Sequence, residues 1–140
     1  EELIMAKIIN QTLTLTPFME DGLSKVNIQV TYDAVFSPAE RGLTTPPFEW
    51  KFLETIQVIG VDPPFGTTGQ ILVEKMLPVQ EIPVTPGPGS LTVPRIRIVK
   101  ALRTLLQEDP APGDADEIRC NIQILPVAAS EFTPQQVLAG

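Results

Sequence analysis

The chain has 140 residues, 43% of them hydrophobic, and a formal net charge of −7, so it is long enough for one domain with a buried core. An acidic chain is repelled by phosphate backbones and anionic lipid, which argues against nucleic acid and membrane as partners. With no histidine and one cysteine, the chain lacks the residues for Ser-His-Asp or Cys-His catalysis, for histidine or multi-cysteine metal sites and for an internal disulfide.

The first predicted strand is the N-terminal run, residues 3–16. Leu13 and Leu15 alternate with threonines, and the alternation slips between Ile8 and Ile9. One interpretation is a strand that pairs partly within its own domain and partly with a neighbouring chain. The other is an ordinary edge strand followed by a bulge. Residues 1–4 are either native or the remainder of a longer chain.

Alternation of apolar and polar residues predicts most of the remaining strands. It is strongest at residues 26–36, 48–58 and 118–124 and weaker at residues 70–77 and 91–106. The run at 91–106 changes phase near Val99, which predicts a bulge or a switch between two strands. Clusters of proline, glycine and acidic residues separate the runs and predict loops. They occupy residues 18–24, 37–47, 61–69, 83–90 and 107–116.

This pattern predicts an all-β fold, an antiparallel β-sandwich of about six to eight strands, with a closed barrel as the alternative. Residues 1–126 are predicted to form the single sandwich domain. Residues 127–140 are predicted to be a tail or a short helix, with Thr133 as N-cap and Pro134 at the first helical position. The pattern resembles immunoglobulin-like and fibronectin-like sandwiches, although Trp50 and Cys120 supply only part of the Cys–Trp–Cys hallmark of antibody domains. The resemblance implies a fold and no particular function.

Acidic residues concentrate in loops that an up-and-down strand order would bring to one end. These loops are residues 17–24, 61–69 and 107–117. Hard oxygen ligands at this density suit Ca²⁺, which makes this end a candidate metal site. The candidate ligands are Asp62, Asp109, Asp114 and Asp116. The competing interpretation is that connecting loops simply carry solvated charge, and no EF-hand spacing is present.

Glu54 falls on the apolar side of its predicted strand, where a carboxylate must be paired or neutral. Arg95 and Arg97 are candidate partners, although their own run predicts them either on the polar face of a strand or as a match for acidic groups on a neighbour. A bulge at Leu53 that turns Glu54 outward is the structural alternative. A catalytic role would require a second carboxylate and an aromatic-lined cleft, and the chain has only one tryptophan and one tyrosine.

The aromatic residues and the cysteine are mostly predicted to be core. Phe36, Trp50 and Phe52 fall on inward-facing positions, and Cys120 falls on the inner face of its strand. Phe65 lies between Pro64 and Gly66 at a loop tip. It is the candidate for an exposed contact with a carbohydrate.

The predicted function is a non-enzymatic structural or interaction module. It would be a subunit of a larger assembly or fibre that contacts other proteins and associates with itself through edge strands. The alternative is a small-ligand binding module, with Ca²⁺ at the acidic end or carbohydrate at Phe65. No other cofactor is predicted. The N-terminus is acidic where a secretory signal is basic, and no stretch is long and apolar enough to span a bilayer. Cytoplasmic and bacterial surface locations both stay open.

Overall fold

A computed structural model describes residues 6–61, 69–71, 77–106, 117–128 and 136–138. Seven strands and two short helices lie in these ranges. The strands are β1 (Lys7–Glu20), β2 (Leu23–Phe36), β3 (Lys51–Val61), β4 (Gly69–Ile71), β5 (Gln80–Ile82), β6 (Leu91–Leu102) and β7 (Glu117–Val127). The helices are α1 (Pro38–Gly42) and α2 (Arg103–Leu106). The predicted all-β class is therefore confirmed.

The strands form two antiparallel sheets. In the first sheet the order is β1-β2-β6. In the second sheet β3 is central. Strand β7 pairs with β3 along the whole length of β3, and β4 and β5 each pair with a short part of β3. No described strand belongs to both sheets, so the described strands do not close into the barrel that was the alternative prediction. Consecutive strands β2 and β3 lie in different sheets.

Strict alternation along β2 and β3 builds the core between the sheets. Every second side chain from Val26 to Phe36 is buried, and the same holds on β3 from Phe52 to Val58. The rings of Phe36 and Phe52 meet edge-to-face with centroids 4.9 Å apart, a favoured aromatic geometry. The end of β2 is therefore fixed against the beginning of β3.

Strands β1 and β2 are joined by a tight turn at Asp21 and Gly22, not by the predicted loop 18–24. Asp21 has φ 54° and Gly22 has φ 74°, the pair of positive φ angles that a type I′ hairpin turn requires. Asp-Gly is a preferred sequence for this turn because both residues tolerate positive φ. The two strands therefore run several residues further than the apolar pattern alone predicted.

The slip in the N-terminal alternation is a β-bulge. The register between β1 and β2 shifts between Ile9 and Thr12, and Asn10 has φ 57°. The extra residue reverses the phase of alternation, slightly later than the predicted slip between Ile8 and Ile9. The rest of β1 pairs with β2 of its own chain. The bulge is therefore confirmed for the described part of this run, and partial pairing with a neighbouring chain stays a prediction.

Helix α1 lies in the segment that was predicted to be a loop, residues 37–47. Ser37 Oγ accepts a hydrogen bond from the Glu40 N–H at 3.2 Å, and Glu40 Oε1 accepts one from the Ser37 N–H at 2.9 Å. This reciprocal capping box, followed by Pro38 at the first helical position, specifies a helix start. The predicted C-terminal helix start at Thr133 and Pro134 lies outside the described residues.

Strand β6 corrects the prediction for residues 91–106. Its register with β2 is unbroken from Leu91 to Leu102, and α2 follows directly. No phase change occurs within β6, because Arg97 faces inward and is buried, whereas the neighbouring Ile96 and Ile98 are 65% and 56% exposed. The prediction that the arginines form the polar face of the strand is wrong. The reason is an acidic partner on β3.

Candidate functional site

Four polar side chains meet between the two sheets and are here called the buried ionic cluster: Glu54, Arg95, Arg97 and Tyr32. Glu54 extends from β3 and is completely buried. Arg95 Nε donates a hydrogen bond to Glu54 Oε2 at 3.0 Å. Arg97 Nη1 donates to Glu54 Oε1, and the Tyr32 hydroxyl donates to Oε2. Both carboxylate oxygens are therefore occupied by charged or hydroxyl donors.

The two arginines also hold the segment that precedes and begins β5. Arg95 Nη2 donates to Gln80 Oε1 at 2.9 Å, and Arg97 Nη2 donates to the Pro78 carbonyl at 2.9 Å. One carboxylate from β3, one hydroxyl from β2 and two guanidinium groups from β6 thus connect both sheets with this segment. Planar guanidinium groups suit such divided donation because each presents several N–H groups in fixed directions.

The ionic state of the cluster follows from its contacts. Burial by itself raises the pKa of Glu54, but hydrogen bonds from Arg95, Tyr32 and Arg97 outweigh burial and lower that pKa below its ordinary value of 4.5. Burial, together with the neighbouring Glu54 carboxylate, raises the pKa of Tyr32. Glu54 is therefore an anion at neutral pH and Tyr32 is a neutral donor.

This geometry favours a structural role for Glu54 over a catalytic one. A general acid needs a proton to give, and the pKa of Glu54 is lowered rather than raised. Its carboxylate has no exposed surface from which to reach a substrate. The predicted pairing with Arg95 and Arg97 is confirmed. The alternative bulge at Leu53 does not occur, since its register with Leu125 and Glu81 is continuous.

Tyr32 provides a direct test of the cluster because it is the only tyrosine in the chain. Its pKa is raised in the fold, so the folded chain keeps a proton that the unfolded chain loses. The free energy of unfolding should therefore be intact below the ordinary tyrosine pKa of 10.0 and fall as the pH rises above it. We expect tyrosinate absorbance in the near ultraviolet to appear together with the loss of circular dichroism. Reversible ionisation of Tyr32 near pH 10 with an unchanged circular dichroism spectrum would contradict this. The variant Tyr32→Phe, which has no tyrosine to ionise, is the control for the absorbance change.

The predicted metal ligands Asp62, Asp109, Asp114 and Asp116 lie outside the described residues. The described strand ends nearest to these residues are paired: the end of β6 pairs with the start of β2 at Leu102 and Lys25, and the end of β3 pairs with the start of β7 at Val61 and Glu117. Within the described ranges, no group of three or more cysteine, aspartate and glutamate side chains is placed to hold a metal ion. The Ca²⁺ prediction stays a prediction.

Glu20, a described acidic residue at the same end, is engaged by lysines. Lys25 Nζ lies 2.8 Å from Glu20 Oε1, and Lys100 Nζ lies 3.0 Å from Oε2. Hydrogen bonds from Lys25 and Lys100 lower the pKa of Glu20. Lys100 Nζ also lies 5.6 Å from the centre of the Phe18 ring. This carboxylate is therefore part of a surface ion network across β1, β2 and β6.

The aromatic predictions have mixed outcomes. Phe36 and Phe52 are buried as predicted. Trp50 is half-buried and precedes β3, and Phe48, which began the predicted run, is 52% exposed in the turn before it. The predicted strand 48–58 therefore starts too early, and β3 begins at Lys51. Phe65, the candidate carbohydrate contact, lies outside the described residues.

Cys120 faces inward on β7, as predicted, and is half-buried. It lines a cleft of about 250 Å³ between β1 and β7, together with Leu13, Ile118 and Ile122. Burial raises the pKa of the Cys120 thiol to about 11, so the unreactive thiol form predominates at neutral pH. These observations favour packing over nucleophilic chemistry.

Three long strands have an edge that no other described strand covers. They are β1 and β6 in the first sheet and β7 in the second. Among the described residues no helix has the length and apolar character needed to cross a membrane. Comparisons with protein-family models, with curated proteins and with solved structures found no match to this chain. The arrangement of its own residues is therefore the basis for any functional proposal.

Proposed function

We propose that this chain is an antiparallel β-sandwich, similar in layering to immunoglobulin-like domains, that works as a non-enzymatic interaction subunit and associates with a second copy of itself through β7. The sandwich architecture is supported by two antiparallel sheets whose alternating apolar faces meet at Phe36 and Phe52. The interaction role is supported by the chemistry of the uncovered strand edges, which differ in how well they are protected.

Two of the three long edges carry features that discourage pairing with another chain. Strand β1 has the bulge near Asn10 and a proline at position 17. Strand β6 has Pro94, which has no N–H to donate, and the inward-pointing Arg95 and Arg97. Bulges, prolines and inward-pointing charges are the usual devices that protect edge strands. Ile96 and Ile98 of β6 are exposed, but they stand on either side of the inward-pointing Arg97.

Strand β7 has Pro126 near its end but lacks these devices over residues 120–125, and this is the observation that carries the proposal. Residues 11–16 of β1 are also uncharged, but they lie between the bulge and Pro17. The segment reads CNIQIL, without charge, proline or glycine, and within the described part of the chain only β3 pairs with it. Such composition favours addition of a further strand. Outward-facing Leu125 is 47% exposed. Its side chain would contribute an apolar contact beside the new strand.

A second copy of this chain is the occupant that charge favours. Two copies with a net charge of −7 repel each other, so close contact is least costly where the strand is uncharged. Antiparallel pairing of β7 with β7 of the partner is self-complementary, since a two-fold axis gives each strand the same contacts. The result would be one continuous sheet across both copies.

The test is the oligomeric state, measured by light scattering and sedimentation over a wide concentration range. We expect the wild type to dimerise. We expect the double variant Asn121→Lys, Gln123→Lys to weaken association by about tenfold or more, because antiparallel pairing brings like charges together. Both positions are exposed, so the fold should persist, as circular dichroism would verify.

A matched control places the same charges on another edge. Thr14 and Thr16 are exposed on β1 and face outward in the first sheet. The double variant Thr14→Lys, Thr16→Lys should therefore dimerise like the wild type. A wild type that stays monomeric at every concentration, or equal weakening in both double variants, would overturn the proposal.

A further inference from the structure

A second surface, separate from the β7 edge segment, has the form of a binding site. A groove of about 670 Å³ opens where β3 begins, between the end of β5 and the end of β7. Its volume falls within the range of small-ligand sites. The groove is lined in part by Trp50, Glu49, Glu81, Val84 and Val127.

One wall of the groove is held by backbone hydrogen bonds. The Trp50 N–H donates to the Leu43 carbonyl at 2.8 Å, and the Glu49 N–H donates to the Thr45 carbonyl at 3.0 Å. Glu49 has φ 50°, a left-handed conformation that is unfavourable for a residue with a side chain. Such strain persists only where the surrounding structure fixes the conformation, and it is concentrated at binding sites.

Another wall of the groove, at Val84 and Thr85, adjoins a segment that Arg41 fixes. The Arg41 guanidinium donates to the carbonyls of Thr85, Pro86, Pro88 and Gly89 at 2.9–3.2 Å. Gly87 permits this close approach, because a Cβ there would lie 2.5 Å from Arg41 Nη2. Val84 and Thr85, which line the groove, directly precede this clamped segment. Both walls are therefore preorganised, which reduces the entropic cost of binding.

We propose that this groove binds a cationic side chain, lysine or arginine, of a partner protein, with flanking apolar residues against Val84 and Val127. An indole face attracts a cation through its quadrupole, and carboxylates strengthen the attraction by charge-assisted hydrogen bonds. Lys51 also lines the groove, but its Nζ lies 3.9 Å from Glu81 Oε1 and both side chains are more than half exposed, so this pair is loose and the lining keeps two carboxylates against one ammonium group. The net charge of −7 steers a basic segment toward the chain. This proposal does not depend on self-association.

Trp50 is the only tryptophan, so its fluorescence reports on the groove directly. The probes are the capped tripeptides Val-Arg-Val and Val-Lys-Val, with Val-Gln-Val as the neutral match. We expect a saturable change in fluorescence with both cationic peptides, weakened by salt, and little change with the neutral one. Glu49→Gln should weaken binding about fivefold, as expected for loss of one exposed charge-assisted contact.

Glu20→Gln is the matched control, because it removes the same charge from the surface ion network on the other sheet. Peptide binding should be unchanged in this variant. The proposal is overturned if no cationic peptide gives a saturable signal, or if the neutral peptide binds equally well. It is also overturned if Glu20→Gln weakens binding as much as Glu49→Gln, because attraction would then come from overall charge alone.

Discussion

Glu54→Gln is expected to lower the free energy of unfolding by about 3–5 kcal/mol, because it leaves buried guanidinium charge without an anion. Arg97 is buried and Arg95 is largely so, and both donate to the Glu54 carboxylate. A neutral amide has nearly the same shape but cannot offset two positive charges. Urea unfolding, followed by the fluorescence of the single Trp50, would measure the loss.

Repeating the urea unfolding at several pH values separates the effect of the Glu54 charge from the effect of its side-chain shape. The pKa of Glu54 is lower in the folded chain than its ordinary value of 4.5, so in acid the unfolded chain binds more protons. The contribution of Glu54 to the free energy of unfolding is therefore complete above pH 4.5, and it is lost as the pH drops through the pKa of Glu54 in the folded chain. The difference between wild type and Glu54→Gln should narrow over this range.

Glu20→Gln is the control for the loss of a carboxylate as such. Glu20 also contacts two cations, Lys25 and Lys100, but on the exposed face of the first sheet. Solvent already screens these charges, so the variant should change unfolding very little. Equal effects of Glu20→Gln and Glu54→Gln would show that burial of the ionic cluster does not matter to the stability of this fold.

The amino-acid sequence predicts the parts of this fold that are set by one local pattern. Strand β2 was predicted because six inward positions alternate with polar ones along an uninterrupted run. Glu54 stood out for the same reason: it breaks the apolar side of an otherwise regular strand. A conflict between a residue and its position is informative because buried charge must be compensated.

Other features were missed although local signals for them exist. The Asp21–Gly22 pair is a preferred sequence for a type I′ turn, and Ser37 followed by Glu40 is a capping-box sequence. Both lie in segments whose proline, glycine and acidic residues also predict an irregular loop. The arginines of β6 are a different case. Nothing local turns Arg97 inward; the cause is Glu54, 43 positions away in the sequence.

Strand order and the preorganised groove depend on contacts that no local pattern contains. Strand β6 returns to pair with β2, and β7 returns to pair with β3, so sequence neighbours β2 and β3 are separated into different sheets. The Arg41 clamp joins residues more than forty positions apart. Such pairings are chosen by the total packing of the chain, which a pattern of period two cannot resolve.

Phe36→Ala is expected to cost about 3–5 kcal/mol of the free energy of unfolding, the usual range for truncating a buried aromatic side chain. Phe36 has no exposed surface and meets Phe52 across the two sheets. Phe36→Leu keeps most of the apolar volume and should cost markedly less. Val35, the preceding residue, points to the opposite face of β2, and Val35→Ala should cost less than about 1 kcal/mol.

A double-mutant cycle with Phe52→Ala isolates the contact itself. If the two sheets are held together partly by this ring pair, the two truncations will not add, and the coupling energy should be about 1 kcal/mol. Additive effects would mean that each ring packs independently within its own sheet.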